Sequence, residues 1–285
     1  MIGHDIQFHA PDTLDDALSL LAAASNAAVI GGGTMLVPDM TLARVQPDAV
    51  IDIRRLGLSG VAVQGASVVI GAATSYRELS AAVQTTPGLA LLGLMASQIT
   101  GGPQIRNQAT IGGAACYANP SSDGPACLTV LDARFQLAST SGVREVPAQE
   151  FFVGAFRTAR RKDELLVRII IPRLPDGTRV GYDKLKICES SWPIVTASCL
   201  LIPQSARDTV CARIAIGAAS PAPVVLADAA LEVSAVDPVS LGQSAASLIG
   251  EEWADELAGP GYRRQVAPII ARRAIQMAMQ GAIRT

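Results

Sequence analysis

Hydrophobic and polar positions along this chain switch repeatedly between two periods, and each switch marks an element. Residues 6–8 read as a short opening strand. Residues 13–24 then follow the helical period, with Leu14, Ala17, Leu18 and Leu21 on one face. Thr13 and Asp16 stand in a capping-box-like arrangement at its start. Strands are predicted at 28–30 and 49–53, joined by a connection of crossover length, which makes a small βαβ-like unit. Apolar runs at 61–64 and 67–70 flank Gly65-Ala66, a hairpin signal. Ser75 and Glu78 form a second capping box, opening a helix through about residue 83. Residues 89–97 are apolar nearly all round, as in a buried helix.

The next stretch, 100–119, is polar and glycine-rich with little helical period. A helix at 123–132 and strands at 134–138 and 165–171 follow. Pro172, Pro175 and Gly177 mark the best boundary in the chain. Beyond them, 194–201 and 210–216 read as antiparallel strands, and a helix over about 262–279 closes the sequence. The pattern defines an α+β protein in two regions.

Composition narrows the functions available. The chain has 285 residues, of which 49% are hydrophobic, enough for a substantial core. Only 17% are charged, against roughly a quarter in an ordinary soluble domain. A surface poor in charge suits burial against partner proteins, although an alanine-rich core in a monomer gives the same figure. The net charge of −2 offers no electrostatic reason to bind nucleic acid or an anionic membrane. No apolar run reaches the length that spans a bilayer. Residues 18–24 resemble an export-signal core, but Asp12, Asp15 and Asp16 precede them where a basic segment would stand. A cytoplasmic location is therefore expected. Cysteines 116, 127, 188, 199 and 211 make no C-x-x-C pair, and the two histidines, His4 and His9, are both N-terminal. Neither structural zinc nor an iron–sulfur cluster is expected on this chain, and the cysteines read as reduced and mostly buried.

Two glycine segments carry the candidate chemistry. In AVIGGGTML (28–36), a strand runs into Gly31, Gly32 and Gly33, so the backbone can turn tightly and approach a ligand without Cβ hindrance. Successive N–H groups in such a turn form a nest for phosphate, but a purely structural turn has the same sequence. No lysine follows as in a Walker A loop. The G-x-G-x-x-G spacing fails as well, since counting from Gly31 its last position is Leu36. The second segment, GGPQIRNQATIGGAACYANPSSD (101–123), is predicted to contain a further strand-then-diglycine turn at 109–113. Two such turns could clamp one diphosphate between backbone amides, with little positive charge needed. Asp123 could cap the helix that begins there, accept hydrogen bonds from ribose or ribityl hydroxyls, or do both. Arg106 reads equally as a surface charge or as an anchor for the loop.

The string QIRNQATIGGAACYANPSSDGPACLTVLDA closely resembles the FAD-binding signature of the medium subunits of the xanthine dehydrogenase and carbon monoxide dehydrogenase family of molybdenum hydroxylases. AVIGGGTML is similar to that family's first flavin-binding segment. GAATSYREL, FFVGAFRTARRKDELLVRIIIP, ARIAIGAASPAP and YRRQVAPIIARRA resemble its other typical stretches, so the likeness runs through almost the whole chain. The resemblance implies a two-part FAD-binding domain of the vanillyl-alcohol oxidase (PCMH) type over residues 1–176, with subdomains of about 1–58 and 59–176. A smaller α/β C-terminal domain over 177–285 would follow.

On the family pattern, Ile30, Gly31, Gly32, Gly33, Thr34, Met35 and Leu36 would hold the FAD pyrophosphate, with Thr110, Ile111, Gly112 and Gly113 as the opposite wall. Ser122 and Asp123 match the hydroxyl-binding pair of the ribityl or ribose region. Thr100 and Leu166 match positions lining the flavin and adenine pockets, and Lys184 matches a lysine near the isoalloxazine ring. The chain departs from the pattern at Ala114, where asparagine is usual, and at Cys188 and Ser191, where the family often has arginine and aspartate. The missing charges at Cys188 and Ser191 put NAD in doubt as the electron acceptor, and Ala114 implies one side-chain hydrogen bond fewer to the cofactor. Neither histidine lies near a predicted flavin loop, so noncovalent FAD is expected, with no catalytic dyad or triad and no metal on this chain.

The resemblance further implies two partners, a small subunit with two [2Fe–2S] clusters and a large molybdopterin subunit, assembled as a dimer of heterotrimers. In that arrangement electrons pass from the clusters to FAD and on to an external acceptor. The main rival is a self-contained FAD-dependent oxidase or reductase of the same superfold, against which the aromatic content of 4% speaks. A second rival is a non-catalytic scaffold that has lost flavin.

Overall fold

The computed structural model describes residues 2–86, 88–206 and 208–281. Strand β1 (Gln7–His9), helix α1 (Leu14–Ala23), β2 (Ala27–Ile30), α2 (Leu36–Thr41) and β3 (Ala49–Asp52) build the first unit. Its three strands are parallel, in the order β1-β3-β2. Thr13 caps α1 by accepting from the Asp16 amide, and Ala17, Leu18 and Leu21 are buried as the period requires.

The second unit begins with the hairpin of β4 (Val61–Gln64) and β5 (Ser67–Gly71), in the predicted register around Gly65-Ala66. Helices α3 (Tyr76–Ala82), α4 (Ala90–Ser97), α5 (Gly102–Gln108), α6 (Ile111–Tyr117) and α7 (Gly124–Val130) follow in short connections. The Ser75/Glu78 capping box is complete, with both reciprocal bonds made. Strands β6 (Arg134–Ser139) and β7 (Gly142–Pro147), the short α8 (Ala148–Phe151), β8 (Phe152–Gly154), β9 (Arg157–Thr158) and β10 (Leu165–Pro172) complete it. The main sheet is antiparallel, in the order β4-β5-β10-β6-β7.

The last unit is an antiparallel sheet of β11 (Arg179–Leu185), β12 (Val195–Pro203), β13 (Thr209–Gly217) and β14 (Val224–Glu232), with helices α9 (Pro238–Ser247) and α10 (Pro260–Gln280). The central strands β12 and β13 are buried on both faces, which explains their unbroken apolar runs. Val195, Ala197, Cys199 and Leu201 face α10, while Leu200, Ala215 and Tyr182 join the core of the second unit. Thr196 and Ser198 point to that second face too: Ser198 meets Cys127 of α7 at 3.1 Å, and Gly217 opposes Thr196.

Residues 100–119, despite their weak helical period, contain two short helices, α5 and α6. One expectation is corrected: Gly112 and Gly113 lie in the first turn of α6 rather than in a turn after a strand, and Thr110 makes only an isolated bridge with Ser75. Glycine lowers helix propensity, but tertiary packing overrides it here. A Cβ on Gly112 would lie 2.4 Å from the Ala72 carbonyl oxygen, so only glycine lets α6 seat against β5 and its exit. Strand β7 is an edge with mostly exposed residues, so its alternation carries little sequence signal.

Gly181 is the closest approach in the third unit. A Cβ there would lie 1.9 Å from the Ala274 carbonyl oxygen, on the backbone of α10. Gly181→Ala should force α10 off β11 and destabilise the protein by about 1–3 kcal/mol, the usual range for overpacking a close-packed site. A urea titration read by far-UV circular dichroism would show this as a lowered midpoint.

Candidate cofactor site

The exit of β2, the helices α5 and α6, the start of α7 and the beginning of β10 enclose one cavity of about 540 Å3. That volume lies within the roughly 300–1,000 Å3 of small-molecule and cofactor sites. Its wall contains Ile30, Gly31, Gly32, Gly33, Thr34, Met35, Leu36, Thr100, Thr110, Gly112, Gly113, Ser122, Asp123 and Leu166. The fold thus gathers positions from four distant parts of the chain. Two expected residues are not in the wall. Ile111 is fully buried in the core behind α6, and Lys184 stands behind Asp123.

Gly32 shows why the first segment needs glycine. A Cβ would lie 2.0 Å from the Gln108 carbonyl oxygen at the end of α5. Gly33 has φ +69°, in the left-handed region that glycine tolerates at little cost. Among the described residues, no protein acceptor takes the N–H groups of Gly31, Gly32, Gly33 and Thr34. Partly buried amides left free in this way suit an anionic ligand.

The second segment differs. Its amides are spent inside the protein: Ile111 donates to Thr74, Gly112 to Ala72, Gly113 to the Thr110 hydroxyl and Ala114 to the Thr110 carbonyl. This wall offers close approach rather than free donors, so the two glycine segments do not form the symmetric amide clamp that their similarity suggests.

Asp123 does not cap α7. Its backbone is helical, its side chain makes no capping bond, and Pro125 removes one amide that a cap would take. The carboxylate instead accepts from the Tyr182 hydroxyl and from Lys184 Nζ, the latter at 2.6 Å, both at Oδ1. Lys184 also donates to the Gln98 carbonyl at 2.7 Å. Oδ2 accepts nothing from the described residues, which leaves an acceptor on the cavity wall for a ligand hydroxyl. Burial, and then the Asp123 charge, push the Tyr182 phenol well above its ordinary pKa, so it stays a donor. Burial likewise pushes the Cys127 thiol up to about 12.

Neighbouring groups hold these loops in place. Ser121 donates to Asp255 at 2.9 Å, and Asp255 pairs with the fully buried Arg263 of α10. Thr100 donates to the Ser191 carbonyl at 3.1 Å, tying the cavity rim to the loop after β11. Arg106 donates to the Ser97 and Ile99 carbonyls, so of its two readings the structure shows the anchor. At the foot of β10, Glu164 accepts from Arg144 at 2.6 and 2.8 Å and from the Arg161 amide at 2.6 Å. Burial alone would raise this carboxyl, but those bonds outweigh it and hold it below its ordinary value.

The wall also contains Asp39, Tyr76, Ala114, Tyr117, Arg160 and Trp192. Apart from Ala114, no local motif marks these residues, and only the tertiary fold turns them inward. Neither histidine lines the cavity.

An α+β chain of this topology, with a glycine-lined cavity offering free amides and a buried carboxylate, is a nucleotide-cofactor binding protein. Residues 4–174 match the family model described as the FAD binding domain in molybdopterin dehydrogenase. The carbon monoxide dehydrogenase medium chain of Afipia carboxidovorans is 31% identical over 289 residues, covering 98% of each chain. That of Hydrogenophaga pseudoflava is 36% identical over 228 residues, 79% of this chain and 78% of the relative. The solved Cu,Mo-containing CO dehydrogenase superimposes with a TM-score of 0.90 at 29% identity, over 99% of this chain and 100% of the other. The chain belongs to this family, as an FAD-binding medium subunit of the molybdenum hydroxylase type and a flavoprotein component of an oxidoreductase.

Gly32→Ala should separate the glycine turn from α5 and abolish FAD retention, read as loss of the flavin absorbance that co-elutes with wild type in gel filtration. Glu164 has a lowered pKa, so its contribution to stability is full above its ordinary value of 4.5 and fades as pH falls through the lower folded value. The urea-midpoint gap between wild type and Glu164→Gln should therefore be widest near neutrality and close on acidification.

Proposed function

We propose that this chain is the electron-transferring flavoprotein of a heterotrimeric molybdenum hydroxylase, receiving electrons from [2Fe–2S] clusters on a small partner subunit and delivering them to an external acceptor. The observation that carries the reading is the cavity itself: free amides at Gly31 to Thr34 and an available Asp123 oxygen, in a chain similar along its length to CO dehydrogenase medium chains. Bound FAD supplies the redox chemistry, since it accepts electrons singly and releases them as a pair.

The chain's own residues bind, orient and shield. Gly31, Gly32, Gly33 and Thr34 direct N–H groups toward a diphosphate, with Ile30, Met35 and Leu36 flanking them. Thr110, Gly112 and Gly113 bring α6 close without adding bulk, and Ile111 anchors that helix in the core. Ser122 and Asp123 accept ribityl or ribose hydroxyls. Thr100 and Leu166 line the flavin and adenine ends. Lys184 acts at one remove, because its ammonium is committed to Asp123 and to the Gln98 carbonyl. With no histidine in the wall, the cofactor is held noncovalently.

On this reading residues 1–176 form the FAD-binding part and 177–285 a separate C-terminal domain whose sheet braces it. A large molybdopterin subunit selects and hydroxylates the substrate, and the trimers pair into a dimer in the cytoplasm. The five scattered cysteines leave the clusters to the small subunit. Among the described residues no helix is long and apolar enough to cross a membrane.

The test is to purify the chain alone and with co-expressed partners, under gentle conditions. The isolated chain should be yellow, release FAD on denaturation, and fail to reduce a dye with any organic substrate. The assembly should reduce it. Substrate-dependent dye reduction by the isolated chain would sink this proposal in favour of a self-contained oxidase.

A further inference from the structure

Three carboxylates line the cofactor cavity, and each already has partners. Asp123 accepts from Tyr182 and Lys184, Glu164 pairs with Arg144, and Asp39 accepts from the Tyr117 hydroxyl at 3.1 Å and pairs with Arg44 at 3.5 Å. Lys184, Arg144 and Arg44 all stand outside the wall. Arg160 is within it, and it is the one lysine or arginine among the lining residues.

Its guanidinium is held by one nitrogen. Nη1 donates to the Glu164 carbonyl at 2.7 Å and to the Arg161 carbonyl at 3.0 Å. Among the described residues, no carboxylate pairs with it and neither Nε nor Nη2 finds an acceptor. Two carbonyl oxygens orient the group without neutralising it, so one face of the fork keeps its charge and its donors.

The position is defined from two sides. Arg160 grips the carbonyl just before Leu165 and Leu166, which line the cavity at the start of β10. Its charge also reaches Cys116 of α6, where it opposes the upward push of burial on the thiol. The cation thus lies between the start of β10 and the last turn of α6. The first turn of α6 abuts Gly31, whose Cβ would lie 3.3 Å from the Thr110 hydroxyl oxygen.

We propose that Arg160 binds the diphosphate of FAD, supplying the charge that the neutral amides of Gly31 to Thr34 cannot. The inference rests on reading this cavity as the FAD site. All the formal charge of oxidised FAD is on its diphosphate, and a planar guanidinium fork matches phosphate oxygens. Amides position an anion, but they leave its charge uncompensated in a wall whose other ionised groups are carboxylates. Arg160 removes that deficit.

The experiment titrates FAD-stripped wild type, Arg160→Leu and Arg160→Lys with FAD at low and high salt, following the change in flavin fluorescence. ADP competition, riboflavin binding and the flavin midpoint potential are measured alongside. Arg160→Leu should lose roughly 10- to 100-fold in affinity for FAD, the worth of a charge-assisted hydrogen bond. It should lose a similar factor for ADP, show a flatter salt dependence, and keep wild-type affinity for riboflavin and the wild-type potential. Arg160→Lys should fall between the two. Equal FAD affinity in wild type and Arg160→Leu overturns the assignment. So does an equal loss for riboflavin, which marks a structural role. A shifted potential with unchanged affinity overturns it too, by placing the cation at the ring. Wild type that takes up no FAD overturns the cofactor reading itself.

Discussion

The buried meeting of Asp123 with Tyr182 and Lys184 is the constraint on which the cofactor site depends. Asp123 comes from the start of α7 and the other two from β11, so a single carboxylate oxygen joins the second and third units. Asp123 and Lys184 are almost wholly buried, at 2% and 4% side-chain exposure. Breaking such a pair by removing one partner typically costs roughly 3–5 kcal/mol, because the other charge is left uncompensated. Lys184 also grips the Gln98 carbonyl, so the same ammonium sets the segment leading to Thr100. A second tie runs parallel to the first, from Arg263 through Asp255 to Ser121. Both reach the short loop that presents Ser122 and Asp123 to the cavity, which gives the third unit a direct part in shaping a site it scarcely lines.

Close backbone approach is the other organising device. Gly32 against Gln108, Gly112 against Ala72 and Gly181 against Ala274 are three places where a single methyl group would strike a main-chain carbonyl. The first two bring the glycine turn, α5, α6 and the exit of β5 close enough to form one wall. The third seats α10 on β11, fixing the strand that carries Tyr182 and Lys184. The two glycine segments therefore look alike in sequence and differ in use: one leaves its amides free, the other spends them on packing.

Much of the scaffold was legible from local pattern. The caps at Thr13 and Ser75, the Gly65-Ala66 hairpin, the buried helix over α4 and the paired strands β12 and β13 all follow from signals within a few residues. The glycine segments, Ser122, Asp123 and Leu166 could be named as cofactor positions because the family resemblance rests on residue order and spacing. What stayed hidden depends on contacts distant in sequence. Helices α5 and α6 contradict their glycine content because their neighbours reward tight packing. Asp123 reads locally as a cap, and Pro125 together with two residues about sixty positions away decides otherwise. Arg160 belongs to no local motif, and only the fold turns it toward the cavity.

Residue pattern and motif alone were enough to establish the α+β class, the order of most elements, the absence of zinc-type cysteine spacing and membership of a flavoprotein family. These rest on short-range periodicity, capping chemistry and specific strings, none of which needs the chain to be closed. The tertiary structure alone decided which glycine amides remain free, which partner each buried charge takes, and which cation faces the cavity. Hydrogen-bond satisfaction and charge neutralisation are properties of groups brought together from distant parts of the chain, so they exist only once it has folded.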